Sequence, residues 1–122
     1  PGFAISPDGK LVAVIGADHK AMLYPVDGGA AQPIPGVGEK ECPLRFSSDG
    51  RSLYLWKRGE VPARVTKLDL ASGKREVWKD LLPADPAGVE RISNVLVTPD
   101  GKGYAYCFTR LLSDLFVVEG LK

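Results

Sequence analysis

One histidine and two cysteines are the side chains of this 122-residue sequence whose types most often carry catalysis or bind metals. His19 could act as a general base or a metal ligand near neutral pH. No Gly-x-Ser-x-Gly nucleophile elbow accompanies it, and Cys42 and Cys107 do not form a paired Cys-x-x-Cys. The sequence therefore predicts no catalysis, no metal site and no cofactor, with His19 at the tip of a hairpin. The cysteines are predicted to be separate free thiols, although their number also allows one disulfide.

An Asp-Gly dipeptide followed by a basic residue recurs as SPDGK, SSDGR and TPDGK. Between two apolar runs, Asp-Gly indicates a β-hairpin turn, because glycine accepts positive φ and the aspartate side chain accepts hydrogen bonds from nearby backbone N–H groups. Calcium-binding repeats need a denser set of carboxylates than this. The dipeptides are therefore predicted to be structural turns rather than cation sites: Asp8, Gly9, Asp49, Gly50, Asp100 and Gly101.

The composition is ordinary for a soluble domain, with 44% apolar residues, 25% charged residues and a net charge of +1. A net charge this close to zero does not indicate the clustered basic face that nucleic-acid binding requires. The apolar runs are too short for a membrane-spanning helix, and no signal peptide is apparent. Because the chain opens with Pro1 rather than Met, we expect a fragment of a longer protein, with room for a signal or a membrane anchor upstream.

The elements that must position these residues follow from the spacing of the turns, which is 41 residues from Asp8 to Asp49 and 51 from Asp49 to Asp100. A period of this size predicts a propeller or a related repeat array. The predicted fold is all-β: a partial β-propeller of about three four-stranded antiparallel blades, the last lacking its outer strand. The blades are placed at about 1–38, 39–82 and 92–122. The predicted strands are 3–6, 11–16, 21–26, 31–36, 44–47, 52–56, 65–70, 75–79, 95–98, 103–108 and 114–118.

Two further features of the elements follow from this fold. Blades of a propeller pack face to face, so the second strands, such as 11–16 and 103–108, are predicted to be buried on both sides. Helical periodicity is absent apart from a short turn at 80–90, which Pro83 and Pro86 would limit.

In a propeller, the loops between second and third strands share one face with the loops between blades. Loops on a rigid scaffold often carry binding, although solvated loop charges are the simpler interpretation. Apolar residues at a hairpin tip, such as Leu111, further indicate a partner contact. Trp56 and Trp78 could line a pocket, but core packing is favoured for both. The predicted binding face consists of His19, Arg58, Glu60, Glu90, Arg91, Arg110, Leu111 and Leu112.

The turns and the strands that follow them, with LYPVDGG and LDLASGK, resemble the WD40-like β-propeller repeat (TolB-type, PD40) found in TolB. The segment 79–122 resembles the C-terminal propeller end of bacterial eukaryotic-like serine/threonine protein kinases, notably those of Acidobacteria. That resemblance implies a kinase domain and a membrane span upstream. This chain contains no Gly-rich phosphate loop, His-Arg-Asp motif or Asp-Phe-Gly motif, so it would be the non-catalytic sensor or docking end.

Three blades are fewer than the four to eight of closed propellers. Two end blades would then expose apolar faces, which predicts self-association of the chain, for example as two copies in a six-bladed ring.

The first predicted function is a non-catalytic module that binds an unidentified protein or ligand, as the extracytoplasmic, periplasmic-side sensor of a membrane-anchored kinase. The alternatives are the accessory propeller of a prolyl-oligopeptidase-like peptidase and a TolB-type translocation component.

Overall fold

The computed structural model describes residues 3–16, 18–98 and 100–111. All the regular structure in these residues is β, in ten strands, which confirms the all-β prediction. The strands are β1 (Phe3–Ile5), β2 (Leu11–Ile15), β3 (Ala21–Pro25), β4 (Gln32–Pro33), β5 (Glu41–Phe46), β6 (Ser52–Lys57), β7 (Ala63–Asp69), β8 (Arg75–Leu81), β9 (Val89–Val97) and β10 (Tyr104–Arg110).

The strands form three antiparallel sheets in chain order. Sheet 1 is β1-β2-β3-β4, sheet 2 is β5-β6-β7-β8, and sheet 3 contains β9 and β10 within the described residues. Each Asp-Gly turn joins the first two strands of its sheet, as the repeat predicts. The third strand predicted for the last unit, 114–118, lies outside the described residues.

Several strand boundaries differ from the predictions. Strand β4 has only two residues, since Pro33 and Pro35 cannot donate to the ladder. Strands β5 and β9 begin earlier than predicted, at Glu41 and Val89. The segment predicted to contain a short helical turn at 80–90 instead holds the end of β8, a loop and the start of β9.

Strand β6 is the centre of the core because it is buried on both faces. Leu53 and Leu55 point toward sheet 1 and belong to one apolar cluster, which includes Ala4 and Ala13. The alternate residues of β6, among them Trp56, belong to a second cluster shared with sheet 3. Each fully buried leucine contributes about 1.5–3 kcal/mol relative to an exposed one. The alternation of strand side chains therefore lets one strand hold three sheets together.

The prediction that 103–108 is buried on both faces is wrong for the described residues. Tyr104 and Phe108 are 43% and 44% exposed. Sheet 3 packs against sheet 2 through β9, where Ile92 and Val97 are buried, and the far side of the sheet is open in the part of the chain that the structure describes. Strand β2 is buried on one face only, at Ala13, for the same reason.

Candidate binding site

The first strands of the three sheets, β1, β5 and β9, lie next to one another and line an open cavity of about 660 Å³. We call it the inner-strand cavity. It is lined by Phe3, residues 42–44, Trp56, Arg58, Gly59 and residues 91–96. All three sheets contribute to it, so it exists only when they pack together.

Arg58 reaches the cavity from the loop between β6 and β7. Its backbone N–H donates to the carbonyl of Lys40, at an N···O distance of 3.1 Å, which fixes this loop against the segment that leads into β5. Gly59 follows with a φ of +84°, a conformation that glycine adopts without strain. Arg91 comes from β9, where it lies opposite Thr109. The loop and the strand thus bring two predicted residues to the same cavity.

The floor of the cavity is apolar. Cys42, Trp56, Ile92 and Val95 are buried in the second core cluster and also line the cavity. Leu96 lies at its edge and is 64% exposed. Strand β9 is irregular here: its pairing with β10 shifts register between Ala105 and Cys107, and Asn94 has a φ of +51°.

The charged lining of the cavity is entirely positive. Arg58 and Arg91 are its only charged lining residues, and no carboxylate in the described part of the chain lies within ion-pair distance of either guanidinium. Three other arginines have acidic partners: Arg64 with Asp80, Arg75 with Glu41, and Arg110 with Asp85. Arg45 and Arg51 also have no carboxylate partner among the described residues. Of the four arginines without such a partner, Arg58 and Arg91 are the two that line the cavity.

Other residues of the predicted binding face lie away from the cavity lining. His19 has a φ of +64° at the tip of the β2–β3 loop, and its backbone N–H donates to Gly16. Glu60 is paired with Lys57, with a nitrogen–oxygen distance of 3.5 Å. Glu90 is exposed on β9.

The end of β10 holds the remaining members. Arg110 pairs with Asp85 at 3.5 Å and lies over the ring of Phe108, 5.2 Å from its centroid. Leu111 is half exposed, and its N–H donates to the carbonyl of Gly88. Leu112 lies outside the described residues.

Core packing is the prediction favoured for both tryptophans, and Trp56 both packs in the core and lines the cavity. Trp78 is half-buried in a row of aromatic rings, with edge-to-face contacts to Tyr54 at 5.5 Å and Tyr104 at 6.0 Å. Sequence reasoning missed the cavity lining of β9, because an apolar strand gives no sign of which neighbour it will face. The one available signal was Trp56, two residues before Arg58 at the end of a strand.

Sequence reasoning also missed an ion pair in which the carboxylate is buried and the arginine is partly exposed. Both oxygens of Glu41 accept from the guanidinium of Arg75, at 2.7 and 2.8 Å, and one also accepts from the N–H of Gly38 at 2.6 Å. Burial raises the pKa of Glu41, but these hydrogen bonds outweigh it and the pKa lies below its usual value. Arg75 also donates to the carbonyl of Gly36, so the pair fixes the segment between sheets 1 and 2.

The Asp-Gly turns use their carboxylates internally. The Ser6 hydroxyl donates to Asp8 at 2.7 Å, and the Lys10 N–H donates to it at 3.0 Å. Equivalent pairs of bonds surround Asp49 and Asp100. In each turn the hydroxyl hydrogen bond is the main cause of a lowered aspartate pKa.

In the described residues no cluster of three His, Cys, Asp or Glu side chains could hold a metal ion. Cys42 is buried, Cys107 is exposed, and neither forms a disulfide. None of the described segments is a helix of the length and apolarity needed to cross a bilayer.

Among known proteins, the chain is similar in fold to solved structures. No protein-family model matches the chain, and no curated protein matches it. Among solved structures, a TolB-type protein from Agrobacterium tumefaciens is similar over 89% of this chain, with 20% identity and a TM-score of 0.58. TolB from Acinetobacter baumannii is similar over 88%, with 14% identity and a TM-score of 0.51. The chain spans 42% and 31% of those two chains. This likeness confirms the predicted fold: the chain is a partial β-propeller of the kind seen in TolB structures.

Proposed function

We propose that the chain is a non-catalytic binding module that docks a protein partner at the inner-strand cavity. The observation that carries this proposal is the cavity itself, which is open, largely apolar and edged by two arginines without a described carboxylate partner. Pockets of several hundred Å³ with an apolar lining and a few polar groups are typical binding sites. Such a site needs no catalytic group, and recognition by shape and charge is sufficient for it.

Selection from a displayed random-peptide library tests the proposal without assuming a ligand. We expect peptides to be enriched on the folded chain and to shift the backbone NMR signals of Gly59, Ser93 and Val95. Enriched peptides that instead shift the residues of the Asp-Gly turns, or the absence of enrichment over an unrelated protein of similar charge, would contradict docking at the cavity.

A finer part of the proposal is that the module belongs to a membrane-anchored serine/threonine kinase and lies on the extracytoplasmic side. Its support is the resemblance of segment 79–122 to the propeller end of such kinases. The genomic sequence on both sides of the coding region tests this. Kinase motifs and a membrane span before Pro1 would support it, whereas a hydrolase domain after Lys122, or neither neighbour, would contradict it.

A TolB-type translocation component is the second candidate, and the structural likeness favours it over a peptidase accessory domain. It shares the central expectation of the first, namely a protein partner. The genomic neighbourhood separates the two, since the translocation component requires no kinase domain.

A further inference from the structure

We infer that the inner-strand cavity recognises an extended peptide segment of a partner protein that carries a carboxylate beside apolar side chains. This inference rests on the proposed docking function and specifies its ligand. Three observations carry it: the sign of the charge at the cavity, the apolar floor, and the free edges of the strands that line it.

The charge comes from Arg58 and Arg91. A guanidinium presents a planar set of N–H donors that matches a carboxylate, and it stays protonated at all physiological pH values. Elsewhere in the described structure three arginines pair with carboxylates, and Arg64 does so through two hydrogen bonds to Asp80 at 2.8 and 3.2 Å. A carboxylate of the ligand would give Arg58 and Arg91 the acidic partner that the described residues do not provide.

The floor limits what can carry that carboxylate. Trp56, Val95 and Leu96 present carbon surface to the cavity, so a small hydrated anion would leave most of it uncovered. An anion attached to apolar side chains would cover the floor and reach the arginines together. Removing this apolar surface from water would favour binding.

The strand edges favour an extended chain over a compact ligand. Among the described residues, β9 is paired only with β10, and β5 only with β6. Each strand therefore has one edge without a strand neighbour in the described residues, although the Val97 carbonyl of β9 already accepts a hydrogen bond from Arg45 at 3.1 Å. Extended peptides bind to such edges by adding main-chain hydrogen bonds, while pockets select alternate side chains.

Two matched tripeptides test the role of the carboxylate: N-acetyl-Leu-Glu-Leu-amide and its neutral counterpart, N-acetyl-Leu-Gln-Leu-amide. They have nearly the same shape and differ in one charge. NMR titration of the labelled chain gives both dissociation constants and the site. We expect the glutamate peptide to bind about tenfold more tightly, as a charge-assisted hydrogen bond implies, and to shift the signals of the cavity residues.

Two double variants separate local recognition from net charge. Arg58→Gln with Arg91→Gln should reduce the preference for the glutamate peptide to less than about twofold. Arg51→Gln with Lys102→Gln removes the same charge from exposed turns and should leave the preference intact. If the first variant does not fold, a salt titration of the wild-type chain takes its place. Raising the ionic strength from about 0.02 to about 0.5 M should weaken binding of the glutamate peptide and leave binding of the glutamine peptide unchanged.

Each other outcome has a distinct meaning. If both peptides bind the cavity equally, docking stands and the carboxylate inference is overturned. An equal loss of preference in both double variants also overturns it, since it shows a general charge effect. If neither peptide shifts the cavity signals, the carboxylate inference fails, and the library selection, which assumes no ligand chemistry, still decides the docking function.

Discussion

At the scale of single residues, the arginines of this protein do different work although the sequence presents them alike. Arg75 is held by a buried carboxylate, Arg64 by an exposed one, and Arg58 and Arg91 lie at a cavity. Glu41 and Arg75 are 34 positions apart and on different strands. No local pattern links them, so only the folded chain shows which charges are paired.

The Glu41–Arg75 pair makes stability depend on pH. The pKa of Glu41 is lower in the folded chain than its usual value, so the pair stabilises the fold above the usual glutamate range, and this stabilisation is lost as pH falls through the lowered pKa. We expect Glu41→Gln to cost about 1–3 kcal/mol at pH 7 and progressively less as the pH falls through the lowered pKa, because the wild-type carboxyl then becomes protonated as well. Urea unfolding at pH 7 and at acid pH measures this.

The exposed Arg64–Asp80 pair provides the control. Asp80→Asn should cost no more than about 1 kcal/mol, because solvent screens an exposed ion pair. A Glu41→Gln variant as unstable at the acid pH as at pH 7 would show that shape, and not charge, accounts for the role of Glu41.

At the scale of elements, the local sequence pattern predicts where the strands lie but not which of them are buried. Asp-Gly turns and apolar runs placed the strands because both signals reside within a few residues. The strand predicted at 31–36 was too long, because Pro33 and Pro35 limit β4 to two residues. The prediction that β10 is buried on both faces was wrong, because the burial of a strand depends on the sheet that packs against it and not on its own composition.

Strand β6 should be the element most sensitive to substitution. Leu55 is fully buried between sheets 1 and 2. We expect Leu55→Ala to lower the free energy of unfolding by about 2–5 kcal/mol, from lost transfer energy and the cavity left behind. Val77→Ala on β8, where the side chain is exposed, should change it by less than about 0.5 kcal/mol. Equal effects in chemical denaturation would contradict the central role of β6.

At the scale of the whole molecule, sheet 1 leaves an apolar face uncovered in the described structure. The cross-strand partners Phe3, Val14 and Met22 lie on one face of the sheet, together with Ile5 and Tyr24. Phe3, Ile5 and Tyr24 are about half exposed. Exposed apolar sheet faces favour association with another surface.

We therefore expect the isolated chain to self-associate, with a mass near twice the 13.1 kDa of one chain in size-exclusion chromatography with light scattering. Ile5→Glu should shift the population toward the monomer, because a charge on this face would have to be desolvated in the contact. Val77→Glu, at an exposed position on β8 in sheet 2, is the matched control. A wild-type chain that is monomeric at high concentration would contradict the prediction.

The candidate site illustrates the limit of sequence reasoning at this scale. The repeat predicted that the β6–β7 loop and the inter-sheet loops share one face, and Arg58 and Arg91 both belong to the predicted set. The predicted face was broader than the cavity, and His19 and Arg110 lie outside the cavity lining. Loop position is a property of the repeat, whereas a cavity depends on how three sheets pack.

The hydrogen bonds of the Asp-Gly turns have one more consequence. In the first turn, each hydrogen bond made by the Ser6 or Asp8 side chain joins residues no more than five positions apart, and the other two turns repeat this arrangement. The conformation of such a turn is determined by its own residues and does not depend on side chains from distant parts of the sequence. The three turns are thus alike, whereas the surfaces at which the sheets pack against one another are what distinguish this chain.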